Sequence, residues 1–290
     1  MRSPKSITVS RRPFVFGYLL LIFTSVPIVS WAQKVALVVP NGSLLADKVG
    51  DTLSRGFASK LTVLNSSLSD AAYRATAPAQ PLNMTTVEAR GVGSAIGCDF
   101  LILIRADLLR RSSLEKPDYY EAYAAVYVAS TRTGRMIDWR LIRTEDQNSA
   151  VAEKRLIDLS VKSEPEIASK LKGTYRSEAS EPARPMLEEL PADGTPAAKN
   201  FRAPIPFRRI KPEYTRPAYL YDITATVELE LDLDAAGKVL RTEIVRWAGF
   251  GLDESAEKAV RSMNWRPAER DGKSLPMRVL VRYNFKKIEK

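Results

Sequence analysis

The sequence predicts an α+β protein with an N-terminal α/β sheet domain, a flexible linker and a C-terminal β-β-α-β domain. Strands alternate with helices through the first half, apolar periodicity stops in the middle of the chain, and a strict period of two appears after that gap. We therefore divide the chain into a targeting segment at 1–33, an α/β domain at 34–176, a linker at 177–203 and a last domain at 204–290.

Composition removes several classes of enzyme. The chain contains no histidine, which excludes Ser-His-Asp triads, Cys-His pairs and HExxH zinc sites. Cys98 is the only cysteine, so no internal disulfide and no CxxC pair can form. A site built on lysine or aspartate remains open, but no constellation of residues points to one. We expect a protein that is not an enzyme and that uses no cofactor and no catalytic or structural metal.

The amino terminus has the pattern of an export signal. A basic start is followed by Phe14–Ala32, which contains no charge, and Ser30-Trp31-Ala32 provides small residues for cleavage before Gln33. The same stretch, as a helix, would span roughly 28 Å, which is also enough for a membrane anchor. A cleaved signal and a retained anchor both remain open. In either case we expect a periplasmic location, with an inner-membrane anchor at Phe14–Ala32 if the segment is kept.

The first domain shows strand and helix patterns in turn. Short runs rich in valine and isoleucine suit buried strands, and apolar residues at helical spacing suit amphipathic helices. Ser43 is a plausible cap for the first helix, and Gly97 a plausible stop for the second. The predicted elements are strands near 34–40, 61–67, 100–104, 123–129 and 136–143, and helices near 43–61, 86–96 and 149–171.

One segment of this domain has a family likeness. The stretch ARGVGSAIGCDFLILI, residues 89–104, resembles a recurring segment of the N-terminal domain of TolB-like envelope-assembly proteins, in which a helix ends in Gly-x-Asp before a core strand. The likeness covers only this short stretch and transfers no functional residue.

The segment 177–203 is rich in Pro, Ala, Ser and Glu and lacks apolar periodicity. This composition is typical of an extended or flexible linker. We therefore expect two folding units that move independently.

The last domain begins with a clear amphipathic strand. Its apolar residues fall on one face, and its polar face carries Glu228 and Glu230, which we expect to be exposed. A glycine turn leads to a second strand, and a helix with Asp253 as its cap follows. The apolar positions of the first strand are Ile223, Ala225, Val227, Leu229, Leu231 and Leu233, and those of the third are Val279, Val281, Tyr283 and Phe285.

The motifs of this domain resemble the C-terminal domain of the TonB family. They occur in the family's order over Pro212–Phe285. The matching positions are Pro212-x-Tyr214, Asp234-x-x-Gly237-x-Val239, Leu252-Asp253 with Ala256 and Ala259, Trp265-x-Pro267-Ala268, Gly272, and Val279-x-Val281-x-Tyr283-x-Phe285.

The resemblance implies binding by strand addition. Energy transducers of this family pair a strand of the domain with an extended peptide of an outer-membrane TonB-dependent receptor, and they take energy from an inner-membrane motor complex. By that analogy the partner edge is Arg278–Phe285. The outward side chains predicted to contact the partner are Arg278, Leu280, Arg282 and Asn284, with Tyr214 close by.

Three departures from the family pattern bear on energy transduction. The family's Tyr-Pro pair is Tyr214-Thr215 here, the histidine of the membrane helix is absent, and a folded domain stands where a long Pro-rich spacer is usual. The alternative is a periplasmic scaffold whose last domain forms a homodimer. Basic residues near 202–216 and 286–290 suit an acidic partner, and we expect no nucleic-acid binding, because an exported chain would not meet it.

Overall fold

A computed structural model describes residues 33–112 and 118–287 of the chain. The predicted targeting segment therefore lies outside the described residues, apart from its last position. Within the described ranges, no helix is long and apolar enough to cross a membrane.

The N-terminal half follows the predicted alternation of strands and helices. Ser43 caps α1, as predicted, and Thr85 and Glu88 form a reciprocal capping box at the start of α3. The helix α2 was not predicted. The elements are β1 (Lys34–Val38), α1 (Leu44–Phe57), β2 (Thr62–Val63), α2 (Ser66–Thr76), α3 (Thr86–Ile96), β3 (Phe100–Arg111), β4 (Tyr119–Ser130), β5 (Met136–Asp146) and α4 (Ser149–Ala179).

Both faces of the first sheet are covered. Its strand order is β2-β1-β3-β4-β5, with parallel pairing up to β3 and antiparallel pairing beyond. Helices α1 and α4 pack on one face, and α2, α3 and the C-terminal half pack on the other. This explains why residues 122–130 of β4 are buried without alternation, because a strand covered on both sides carries a continuous run of small and apolar side chains.

The predicted linker differs from a free coil. Helix α4 continues to Ala179, past the predicted end near 171, and the following residues lie against both halves of the protein. The Glu181 carboxylate accepts hydrogen bonds from Arg135 and Arg241, so it joins the β4–β5 hairpin to the second sheet. Short strands follow at β6 (Glu188–Glu189), β7 (Phe201–Arg202) and β8 (Ile205–Pro206). Ion pairs and ladder bonds, which composition does not reveal, hold this segment in place.

The C-terminal half has the predicted β-β-α-β order. Helix α6 covers one face of a sheet with the order β10-β9-β14-β6, and the six predicted apolar positions from Ile223 to Leu233 are all buried. The elements are α5 (Arg216–Leu220), β9 (Ala225–Leu233), β10 (Val239–Arg246), α6 (Leu252–Arg261), β11 (Trp265–Arg266), β12 (Ala268–Arg270), β13 (Lys273–Leu275) and β14 (Met277–Phe285).

Two details of this half differ from the predictions. The cap of α6 is Gly251, with a φ of 76°, and Asp253 lies inside the first turn, where its carboxylate accepts the backbone N–H groups of Ala248 and Gly249. The polar face of β9 is not a solvated face, because Glu228 is almost fully buried. Arginines on the neighbouring strands and on the predicted linker segment cover that face and neutralise its carboxylates.

The two halves share one apolar core. Trp247 donates its indole N–H to the Gly134 carbonyl, and its own backbone N–H is bonded to the Met84 carbonyl. The Asn83 amide bonds both the N–H and the C=O of Thr226, as a neighbouring strand would. Because rings and backbone groups from both halves are in contact here, the second half packs against the first sheet.

Candidate functional site

Strand β14 has one paired edge and one largely free edge. Along its whole length, from Met277 to Phe285, it pairs antiparallel with β9. On its other side, the only described partner is β6, which pairs in parallel with Met277 and Arg278 and then stops. Among the described residues, no strand pairs with this side of Val279–Phe285. A row of backbone donors and acceptors is thus available for another strand.

A groove follows this free edge. It has a volume of about 260 Å³ and lies between β14 and the short β8–β11 pair. Apolar side chains that are about half exposed border it, namely Leu190, Ile205 and Leu280. The buried indole of Trp265 also lines the groove, and its N–H has no acceptor among the described residues. An edge strand beside an apolar groove can take both the backbone and the side chains of an extended peptide.

Leu280 and Asn284, two of the predicted contact residues, project from the outer face of β14. Leu280 is 52% exposed. Asn284 is also exposed, and its side-chain oxygen accepts a hydrogen bond of 2.9 Å from the Thr226 hydroxyl on β9. Leu280 can contact a neighbouring strand directly. The side-chain oxygen of Asn284 would first have to give up its hydrogen bond with Thr226.

The two predicted arginines are engaged within the sheet. The Arg278 side chain is only 14% exposed and donates at 2.8 Å to Asp232 and at 3.1 Å to the Pro185 carbonyl. Arg282 donates at 2.6 Å to Glu228 but remains 60% exposed. Arg278 is therefore a structural residue in this conformation, while Arg282 still presents charge at the edge.

Arg184, from the predicted linker, completes this charged layer. It forms ion pairs with Glu230, Asp232 and Glu243. Burial opposes ionisation of Asp232, but hydrogen bonds from Arg278 and Arg184 outweigh burial and hold the pKa of this carboxyl below its usual value. The layer keeps the linker fixed at the start of β14.

Tyr214 lies at the opposite end of β14. Its hydroxyl donates at 2.7 Å to the Ile223 carbonyl, and burial raises its pKa above the ordinary value, with a further contribution from Asp222. The ring lines a second cavity, of about 310 Å³, together with Tyr283 and Phe285. The five predicted positions are thus gathered along one strand edge and its end.

The sequence patterns did not predict the residues that line both cavities opposite β14. Leu190 and Ile205 stand in segments without periodicity, and Tyr219 lies on the short helix α5, so no pattern marked them as neighbours of β14. Trp265 was part of the family motif, and that motif was the signal that could have located it. Within the described ranges, no group of acidic or cysteine side chains could hold a metal ion.

Comparison with protein families gives one match. Residues 210–286 match the family described as the C-terminal domain of the Gram-negative bacterial TonB protein. A search of curated proteins found no match. The match confirms the predicted TonB-like C-terminal domain within an α+β chain.

Several solved structures share low identity with the chain. The hypothetical protein CT253 from Chlamydia trachomatis has 12% identity and a TM-score of 0.34, over 48% of this chain and 98% of that chain. The TonB C-terminal domain from Pseudomonas aeruginosa has 20% identity and a TM-score of 0.26, over 30% and 88%. The LpoB C-terminal domain from Salmonella enterica has 18% identity and a TM-score of 0.27, over 42% and 87%.

Proposed function

Because residues 210–286 form a TonB-like C-terminal domain, we propose that this chain is a non-catalytic binding protein of the Gram-negative envelope. It takes an extended peptide of a partner protein as an added strand on the free edge of β14. The observation that carries the proposal is the edge Val279–Phe285, which has no strand partner among the described residues and borders an apolar groove. Backbone bonds would supply affinity, and the groove would supply selectivity.

The family likeness favours an outer-membrane receptor as the source of this peptide. Coupling to an inner-membrane motor is the finer part of the proposal, and it requires Phe14–Ala32 to remain as an anchor. A second copy of the chain would need the same edge, so a homodimer through β14 and receptor binding exclude each other at one site. The scaffold alternative is thereby tested in the same experiment.

A photo-crosslinking amino acid at position 280 tests the proposal in a Gram-negative host. The matched control is position 240 on β10, the opposite edge of the same sheet, where the native leucine is 59% exposed. We expect a crosslink to an envelope protein from position 280 and none from position 240. Mass spectrometry of the product would identify the partner and the peptide.

Each outcome decides between the alternatives. A product of twice the mass of the chain from position 280 would favour the scaffold with a homodimer. Equal crosslinking from both positions, or none from position 280, would refute a partner site at β14. Intact mass and membrane fractionation of the same cells show whether the anchor is kept. Loss of the anchor would contradict coupling to the motor, because coupling requires it.

A further inference from the structure

A polar cavity lies where the two halves of the protein meet. Its volume is about 280 Å³, at the small end of the range of roughly 300–1,000 Å³ for small-molecule sites. None of its lining residues lines the groove or the second cavity beside β14. A ligand bound there would contact both halves. The lining from the N-terminal half includes Asn41, Gln80 and Arg105, and that from the C-terminal half includes Asp222, Thr224 and Ala248.

The cationic group of this cavity is Arg105, on β3. Side chains alternate along a strand, so Arg105 points to the same face as Leu101 and Leu103, which lie in the core shared by the two halves. Arg105 is half-buried and forms no ion pair with a residue that the structure describes. The nearby carboxylate of Asp107 accepts the N–H of Leu108 instead. A guanidinium offers a planar set of donors that fits a carboxylate.

The ring of Tyr127 forms the wall of the cavity beside Arg105. This tyrosine is buried, and its ring lies 6.0 Å from that of Trp247 and 6.4 Å from that of Phe250, both in the C-terminal half. Burial raises the pKa of Tyr127 above its ordinary value, and the positive charge of Arg105 opposes this rise, so the guanidinium lies close to the phenol. Against such a buried wall, water and salt screen an ion pair less than they do on the open surface.

The anionic group of the cavity is Asp222. This residue is exposed, has a φ of 51°, and forms no ion pair within the described ranges. Asp222 and Arg105 therefore line one cavity without pairing with each other. The side chains of Asn41 and Gln80 add amide groups to the same lining. Two opposite charges in this arrangement complement a molecule that carries both charges itself.

Asn83 fixes the position of the cavity walls. Its side-chain amide donates at 2.7 Å to the carbonyls of Thr226 and Trp247 and accepts the Thr226 N–H at 2.9 Å. Arg246 donates at 2.9 Å to the backbone carbonyl of Asn83. Both amide donors of Asn83 are thus used within the protein. The residue holds the two halves in place around the cavity, and a site that is already formed costs less to occupy.

We infer that this cavity binds a small zwitterion of the α-amino acid class. The carboxylate of the ligand binds the Arg105 guanidinium, and its ammonium group binds the Asp222 carboxylate. The site does not depend on the strand addition proposed above. Because the ligand contacts both halves, it stabilises their contact by binding to the native arrangement.

A panel of free amino acids of both chiralities, added at millimolar concentration to the purified full chain, tests the inference by thermal unfolding. We expect at least one of them to raise the unfolding temperature, and isothermal titration calorimetry then gives its dissociation constant. The decarboxylated and the N-acetylated analogues of that amino acid should each bind roughly ten-fold more weakly or worse, because each lacks one charge. A panel without a binder would overturn the inference. Equal binding of either analogue would overturn it as well, because one of the two charges would then contribute nothing.

Variants of the two charged residues test where the amino acid binds. Arg105→Gln should weaken binding roughly ten-fold or more, and Arg105→Lys, which keeps the charge, should recover part of the loss. Asp222→Asn should weaken binding to a similar extent, and asparagine tolerates the left-handed backbone at this position. The matched controls are Arg110→Gln, exposed on the other face of β3, and Asp271→Asn, exposed with a φ of 50°. Both controls should bind as the native chain does. Native binding by folded Arg105→Gln or Asp222→Asn would contradict the inference.

Hydrogen exchange gives a test on the native chain that needs no variant. The N–H groups of Asn83 and Thr226 are bonded to the Gln80 carbonyl and to the Asn83 side chain, at the edge of the cavity. A saturating amino acid should slow exchange at both of these groups. Protection confined to the edge Val279–Phe285 would place the molecule on β14 and overturn the inference.

Discussion

The shared core predicts that Trp247 couples the two halves of the protein. This side chain is 1% exposed, its ring lies 6.0 Å from that of Tyr127, and its indole donates at 3.2 Å to the Gly134 carbonyl. Trp247→Ala should cost about 3–5 kcal/mol for the lost burial and cavity, plus about 1–3 kcal/mol if that carbonyl is left unpaired. Such a loss approaches the whole stability of an ordinary domain, which is about 5–15 kcal/mol.

Urea unfolding followed by far-UV circular dichroism measures this coupling. We expect one transition for the native chain and two for Trp247→Ala, because the change falls on the surface where the halves meet. Trp265→Ala is the matched control. It also removes a buried tryptophan side chain, but one that lies within the second half, on the strand paired with β8. Hydrogen exchange should rise at Asn83 and Met84 in the first variant only. A single transition within about 1 kcal/mol of the native one would refute the shared core.

Three further changes test separate parts of the fold. Arg184→Ala removes the ion pairs that hold the predicted linker segment against the second sheet. Strand β6, which follows in that segment, should then detach more often, so hydrogen exchange at the first two residues of β14 should rise roughly ten-fold. Gly134→Ala should cost more than about 3 kcal/mol in chemical unfolding, because its Cβ would lie 1.9 Å from a backbone oxygen of α3. Gly194→Ala has a similar φ but open space and should cost only about 1 kcal/mol. Burial raises the pKa of Asp253 to about 7 from its ordinary 3.8, so this side chain should contribute most to the free energy of unfolding below about pH 4, and the contribution should be lost as the pH rises through 7. The free energy of unfolding of the native chain minus that of Asp253→Asn should therefore fall with rising pH across this range.

The apolar pattern of the second half was predictable because it depends on local spacing. A strand with a period of two must bury one face, and all the positions assigned to that face of β9 are buried. The edge of β14 was also predictable, but only through the family likeness. Strand order depends on contacts between segments distant in sequence, and periodicity carries no information about them.

The charged face of β9 shows what spacing cannot predict. Glu228 was predicted to be exposed, yet it is only 6% exposed, and Asp232 on the same face is 3% exposed. Arg184, from a segment that appeared structureless, and the strand neighbours Arg278 and Arg282 supply the opposite charges. A buried carboxylate is tolerable only with such partners, and the partners come from parts of the chain that a local pattern does not connect.

Pro191 explains why the intrachain strand leaves most of the β14 edge unpaired. Continuing the observed register would place Leu190 opposite Val279 and Pro191 opposite Leu280, and proline has no N–H to donate. Pro191→Val should therefore let β6 lengthen, slow hydrogen exchange at the following residues of β14, and reduce crosslinking from position 280. Pro182→Val, in the same segment but before β6, is the matched control. Unchanged exchange in Pro191→Val would mean that the groove itself, and not the missing N–H, turns the chain away from the edge.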